Sequence, residues 1–311
     1  MKILIVASKT TGRFSPFVTE QVESLSKSGI EFSYFGISKK GMTGYLKCYS
    51  PLLQKVQQYR PDVIHAHYGL SGILANLQRR VPVITTFHGS DIHSGGLLLL
   101  LSKICMRLSA FNIFVSKRIF EMAQYKKDNY AILPCGTDMA TFFEVPKNEA
   151  RQILKWKQDG KYVLFAGAFG NRVKNSALAQ EAVALVEGCR LIELKGYSRT
   201  EVNLLMNASD CLLMTSEREA SPMVIKEAML CGCPVVSVDV GDVKEVISET
   251  ENCFIVNREP EEIAGKLSLV LANKEKTNGR NRIVQSGLEL VVVAQRIQAI
   301  YNKVIKRKSK I

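Results

Sequence analysis

Residues 211–240 read CLLMTSEREASPMVIKEAMLCGCPVVSVDV, and this stretch decides the fold. An apolar run at 211–215 ends in a polar loop. Ser221-Pro222 then supplies an expected N-cap with proline at the first helical position, where a missing N–H costs nothing. Apolar residues at helical spacing follow, Gly232 and Pro234 break the chain, and a second β-branched run fills 234–240. Strand, helix and strand within thirty residues, with strands apolar on both faces, predict a βαβ unit in a parallel sheet covered on both sides.

The same rhythm runs outward in both directions. Short β-branched or aromatic runs recur at 3–7, 31–36, 63–67, 82–87, 112–116 and 131–134, with helix-period segments between them. A second series follows at 162–166, 190–194, 211–215, 234–240 and 253–256. Between the two series lies a polar stretch holding Pro146, so the expected domains are 1–145 and 146–292, with a terminal helix near 293–311 packing back onto the first. The predicted class is α/β: two Rossmann-like, doubly wound domains facing an interdomain cleft, with ligands at the carboxyl ends of the strands.

Composition narrows the function classes. The chain has 311 residues, 46% hydrophobic and 23% charged, which suits a packed core rather than disorder. The longest leucine run, 97–101, stops at Ser102 and Lys103, far short of the roughly 20 residues a spanning helix needs. That segment is expected either to pack in the core or to dock peripherally on anionic lipid. The eight cysteines show no C-x-x-C pair and sit in apolar contexts, which suggests reduced thiols, a cytoplasmic setting and no metal site. A net charge of +13 favours anionic partners. The basic residues are dispersed and lack interleaved aromatics, which argues against a nucleic-acid platform.

The chemistry concentrates at the helix that opens near Pro222. The free amides of Met223 and Val224, with the positive end of the helix dipole, form an anion site suited to a diphosphate. Glu219 precedes that site, and Glu227 stands about 7.5 Å along the helix axis beyond Pro222. Two acids flanking a diphosphate suit the sugar and ribose hydroxyls of a nucleotide-sugar.

This segment resembles the retaining glycosyltransferases of family 4, whose donor domain carries two glutamates eight positions apart, then Ala-Met, Gly-x-Pro-Val-Val and an Asp-Val-Gly turn. The resemblance implies the GT-B fold and a metal-independent transfer of a sugar from a nucleotide diphosphate to an acceptor hydroxyl, with no cofactor. It implies that Glu219 meets the donor sugar, Glu227 the ribose, and Ser221, Met223 and Val224 the diphosphate. Pro222 departs from the glycine of many relatives and removes one backbone donor. Lys174-Asn175 matches the family's lysine motif; Ala168 stands where an arginine is common, and Arg172 is its expected substitute. Two such cations would stabilise charge on a leaving diphosphate.

In the first domain, His88-Gly89-Ser90-Asp91 resembles the family's His-Gly-Ser-Asp segment, which marks His88 as the first catalytic candidate beside Glu219. Asp91 is expected to cap a helix, orient His88 or touch the acceptor. His65 and His67 share one strand face and read as packed or cleft-edge residues. Gly12, in the loop 10–17, is a weak candidate for backbone approach to donor or acceptor. Expected partners are a nucleotide-sugar and a glycan or lipid-linked acceptor, in cell-surface polysaccharide or glycolipid synthesis, with peripheral membrane contact open and no nucleic acid. The rival enzyme reading is a GT-B nucleotide-sugar 2-epimerase, and the rival from another class is a basic nucleic-acid-binding module.

Overall fold

A computed structural model describes residues 1–9, 12–38 and 41–308. Thr10 and Thr11 of the amino-terminal loop, residues 309–311 and the side chain of Lys308 lie outside the described residues. The chain divides into two compact units, Met1–Gly136 with the segment from Leu290, and Thr137–Glu289. Residues 137–145, expected to close the first domain, belong to the second unit, where the Phe142 ring is fully buried in the core.

In the first unit, six parallel strands β1 (Lys2–Ser8), β2 (Glu31–Ile37), β3 (Val63–His67), β4 (Val83–Phe87), β5 (Phe111–Phe114) and β6 (Tyr130–Ile132) are ordered β2-β1-β3-β4-β5-β6. Alternation along β1 divides the core in two. Ile3 and Ile5 join Val63, Ile84 and Phe111 on one face, while Leu4 and Val6 join Ile64 and Ala66 on the other. The first face is covered by the terminal helix Leu290–Lys308, which buries Val293, Ile297, Tyr301 and Val304 there.

The second unit holds β7 (Lys161–Phe165), β8 (Cys189–Glu193), β9 (Cys211–Met214), β10 (Val235–Val238) and β11 (Cys253–Val256), all parallel and ordered β11-β10-β9-β7-β8. Every residue of β9 and β10 is buried, as two-sided apolar runs require. Each fully buried leucine in β9 contributes roughly 1.5–3 kcal/mol of transfer free energy. The two series of six and five strands expected from the sequence are both present, with ends differing by at most two residues. In the second unit, strand order reverses at β7 and β9; in the first, at β1 and β3. Such reversals open a crevice beyond the strand ends, because successive crossover helices leave to opposite sides.

Candidate functional site

The second unit gathers its candidate residues around the β7/β9 reversal. After β7 the chain makes a short 3-10 turn, Arg172–Lys174, and Asn175 takes a left-handed conformation at φ 51°. At the end of β9 the Thr215 hydroxyl donates to the carbonyl oxygens of Lys174 or Asn175, at 3.0 and 2.8 Å. The Glu217 amide donates to the Val173 carbonyl at 2.8 Å, and the Asn175 side-chain amide donates to the Glu217 carboxylate at 2.8 Å. These bonds join the two loops into one surface. A side chain at Gly167 would collide with the methylenes of Lys174, so a glycine there lets Lys174 lie across the strand end. Its ammonium stands 2.6 Å from Glu219 Oε1.

The next helix begins one residue later than the sequence suggests. It spans Met223–Leu230 with Pro222 as N-cap, and Ser221 caps nothing. Pro222 itself is extended, at φ −69° and ψ 118°, the backbone of a cap rather than of a first helical residue. The Ser221 hydroxyl instead accepts a 2.7 Å bond from the ammonium of Lys226, which is fully buried. Asp242 is also buried beside them; burial pushes its carboxyl up, opposed by the Lys226 charge and the Ser221 hydroxyl. Met223 and Val224 are half-exposed at the helix start, and an α-helix gives its first amides no internal partner.

Glu227, one turn further, is buried, and Arg199 bonds its carboxylate. Burial raises the Glu227 pKa, opposed first by Arg199 and then by Lys226. The Arg199 guanidinium also sits 4.5 Å over the Phe142 ring. Sequence reasoning passed over Arg199. A signal was available: Ser198-Arg-Thr-Glu201 forms a capping box that starts the helix Arg199–Ala208 just after β8, placing the arginine at a strand's carboxyl end. Arg172, by contrast, is exposed on its turn. Cations, free amides and two acids thus crowd one strand-end surface, an arrangement able to hold an anion flanked by hydroxyl groups.

The first unit brings three histidines together. His67 Nδ1 lies 3.0 Å from His88 Nε2, and their rings stack at 5.2 Å. His65 stacks on His67 at 4.6 Å, with its Nδ1 2.7 Å from the Tyr301 hydroxyl and its Nε2 2.8 Å from the Thr86 hydroxyl. Burial pushes His67 down to about 3 and holds His65 and His88 well below the usual imidazole range. All three are therefore neutral at pH 7. Phe17 and Tyr68 flank His88, with ring centroids at 4.6 and 4.8 Å.

Asp91 does not cap the next helix as expected; its carboxylate instead takes the first amide of the helix Gly69–Asn76. The helix Ser90–His93 has Gly89 as N-cap without a side-chain cap, and the Asp91 carboxylate accepts the amides of Gly69 and Gly89, each at 3.0 Å. It ties the turn after β3 to the turn after β4. Burial pushes its carboxyl up to about 6 despite these bonds. Beside it a groove of 360 Å³ is lined by Ser8, Tyr45, Tyr68, Ser90, Asp91 and Leu98 among others. Gly12 is exposed at φ 80° with open space around it.

Residues 13–141 match the family model for Glycosyltransferase Family 4, and residues 190–288 match the one for Glycosyl transferases group 1, together 228 of the 311 residues. The chain belongs to the group 1 glycosyltransferases. TuaC of Bacillus subtilis, a glycosyltransferase provisionally assigned to teichuronic acid biosynthesis, is 23% identical over 239 residues, 68% of this chain and 61% of TuaC. A D-inositol 3-phosphate glycosyltransferase of Xylanimonas cellulosilytica is 23% identical over 296 residues, 76% of this chain and 71% of that protein. The chain thus spans about two thirds of the length of these relatives. Among solved structures, sucrose-phosphate synthase from Thermosynechococcus elongatus superposes with a TM-score of 0.85 at 17% identity, over 98% of this chain and 99% of that one. HepE of Anabaena, in complex with UDP-glucose, gives 0.77 at 17% identity, over 97% and 100%. At these identities the likeness establishes the fold of this group 1 member, which is GT-B.

Proposed function

We propose that this chain transfers a sugar from a nucleoside diphosphate-sugar to an acceptor hydroxyl, with retention at the anomeric carbon and without a metal. The observation that carries the reading is the Lys174–Glu219 pair, 2.6 Å apart, beside the open helix start at Met223 and Val224. A diphosphate at that start draws the Lys174 ammonium to itself, which releases Glu219 to accept bonds from sugar hydroxyls. Glu227, steadied by Arg199, accepts the ribose hydroxyls. HepE, whose structure holds UDP-glucose on the same fold, supports a uridine donor.

As the bond from the sugar's anomeric carbon to the diphosphate oxygen breaks, negative charge grows on the departing phosphate. Lys174, Arg172 and the amides of Met223 and Val224 stabilise that charge. The acceptor oxygen bonds to the same face of the anomeric carbon, and its proton passes to the departing phosphate oxygen. His88, neutral at pH 7, donates a hydrogen bond to the donor. The groove beside Asp91, lined by hydroxyl groups, takes the acceptor. The similarity to TuaC supports a product in cell-surface polysaccharide or glycolipid synthesis. Eight free thiols, most of them buried, suit action in the reducing cytoplasm.

The test is a melting-temperature screen against UDP, GDP, ADP and their sugar conjugates in excess chelator. One nucleotide class should stabilise the protein without added metal. A matched donor and acceptor should then give a glycoside whose anomeric coupling shows retention. Stabilisation equal for all nucleotides, or lost in Lys174→Ala and Lys174→Arg alike without any change in transfer, removes the basis of the reading. Conversion of the donor sugar to its 2-epimer, with no acceptor consumed, assigns the rival chemistry.

A further inference from the structure

The helix Gly96–Leu108 resolves the two readings of the leucine run by the way it is seated. Its inner face carries Ser102, Cys105 and Met106, all buried. The first two rest on Gly69 and Gly72 of the helix Gly69–Asn76, where any side chain would collide with Ser102 and Cys105. Two glycines against two small side chains bring the helices close together and turn the leucines outward. Leu97 is 61% exposed, Leu100 55% and Ile104 38%, and their spacing of three and then four residues lines them along one ridge.

Cations stand beside that ridge. Lys103 and Arg107, one turn apart, form the adjacent row, and with Lys126 and Lys127 they line a groove of 520 Å³. From residue 96 to residue 127 the chain carries six Lys or Arg and a single acid, Glu121, which pairs with Lys117. Asp128 follows directly. At thirteen residues with two internal cations, the helix is too short and too charged to span a bilayer. An apolar ridge beside a cationic groove fits the acyl and phosphate layers of an anionic lipid surface, with the helix lying in the plane of the interface.

We propose that this helix docks the protein on an anionic membrane, with Leu97, Leu100 and Ile104 entering the acyl boundary and Lys103, Arg107, Lys126 and Lys127 meeting headgroup phosphates. The seating also gives the contact a use. Leu98 of the same helix walls the groove beside Asp91, so docking sets the mouth of that groove at the lipid surface, where a lipid-linked substrate would lie. The docking itself requires nothing of the transferase reading.

Sedimentation with vesicles tests it, using pure phosphatidylcholine and a mixture containing about 30% phosphatidylglycerol, where each cation near the surface is worth roughly fivefold in partitioning. The wild type should pellet with the anionic vesicles, not with the neutral ones, and should be released by about 0.5 M salt as screening shortens to a few ångströms. The ridge variant Leu97→Ser/Leu100→Ser/Ile104→Ser and the charge variant Lys126→Glu/Lys127→Glu should each lose at least tenfold in binding while keeping the wild-type melting temperature. Three outcomes overturn the proposal: wild type remaining in the supernatant with anionic vesicles, the ridge variant pelleting as the wild type does, or light scattering showing a wild-type dimer that the ridge variant dissociates. The last would assign the ridge to a second copy of the chain.

Discussion

His67 Nδ1 lies 3.0 Å from His88 Nε2, and with both imidazoles neutral one ring must donate and the other accept. His67 Nε2 is buried with no hydrogen-bond partner. If the shared proton sits on His67, that orphan is a bare lone pair; if it sits on His88, the orphan is a buried N–H, the rarer defect. The favoured tautomer therefore leaves His88 with its proton on Nδ1, available to a ligand.

Replacing His88 should thus separate binding from turnover. His88→Ala is expected to lower kcat by roughly 100- to 1000-fold, the range of a lost hydrogen-bond donor to developing charge, while nucleotide affinity stays within a few-fold. His67→Phe should lower kcat less and shift the His88 tautomer, visible in nitrogen-15 shifts of the ring. An unchanged tautomer in His67→Phe would show that His67 does not set it.

At the donor end, Lys174→Ala removes a charge-assisted partner. Nucleoside diphosphate binding should weaken by about 1.5–3 kcal/mol, measured by calorimetry, with transfer falling at least as far. Glu219→Gln should behave oppositely in binding: the nucleoside diphosphate binds as tightly or more tightly, since an acid no longer competes for Lys174, yet sugar transfer drops. Weaker nucleotide binding in Glu219→Gln would contradict the competition between carboxylate and diphosphate.

Arg199→Ala leaves the buried Glu227 carboxylate without its guanidinium partner and should cost about 3–5 kcal/mol in urea unfolding. Arg199→Ala combined with Glu227→Gln should recover part of that loss, because no buried charge remains. If the double variant is no more stable than the single, the pair is not what the stability reports.

Acidification sets the histidines of the first unit against Asp91. The folded-state pKa values of His65, His67 and His88 lie below 6.5, so the unfolded chain binds more protons and stability falls as pH drops through that value. Asp91 is raised to about 6, so it acts in reverse, adding stability as pH falls from 6 towards 4. Three groups against one leave a net loss of stability as pH falls below 6.5. Hydrogen exchange of peptides covering residues 63–93, corrected for intrinsic rates, should show that loss. His67→Phe removes one of the three histidines and should flatten it.

Much of this was legible in the chain because local chemistry fixed it. Two-sided apolar runs gave β9 and β10, and the paired glutamates with Lys174 pointed to the strand ends at the β7/β9 reversal, where Lys174 and Glu219 meet. Ser221 misled because a serine before proline has the composition of a cap, while a buried Lys226 five residues on claims its hydroxyl. Arg199 went unread because its partner Glu227 is 28 residues away and only the strand order brings them together. The leucine run stayed ambiguous for a similar reason: exposure depends on Gly69 and Gly72 of another helix, which the run itself cannot reveal.

The terminal helix carries a consequence for synthesis. Its Val293, Ile297 and Tyr301 complete the core around Ile3, Ile5 and Phe111, yet 153 residues of the second unit are made in between. At about 5–20 residues per second, the newborn first unit stands for roughly 8 to 30 seconds on the ribosome with that sheet face covered only in part, by Val18, Val22 and Leu25 of the helix Pro16–Ser26. The second unit, contiguous in the chain, is free to finish folding first, and a chaperone or early partner would find its target on the half that began earlier.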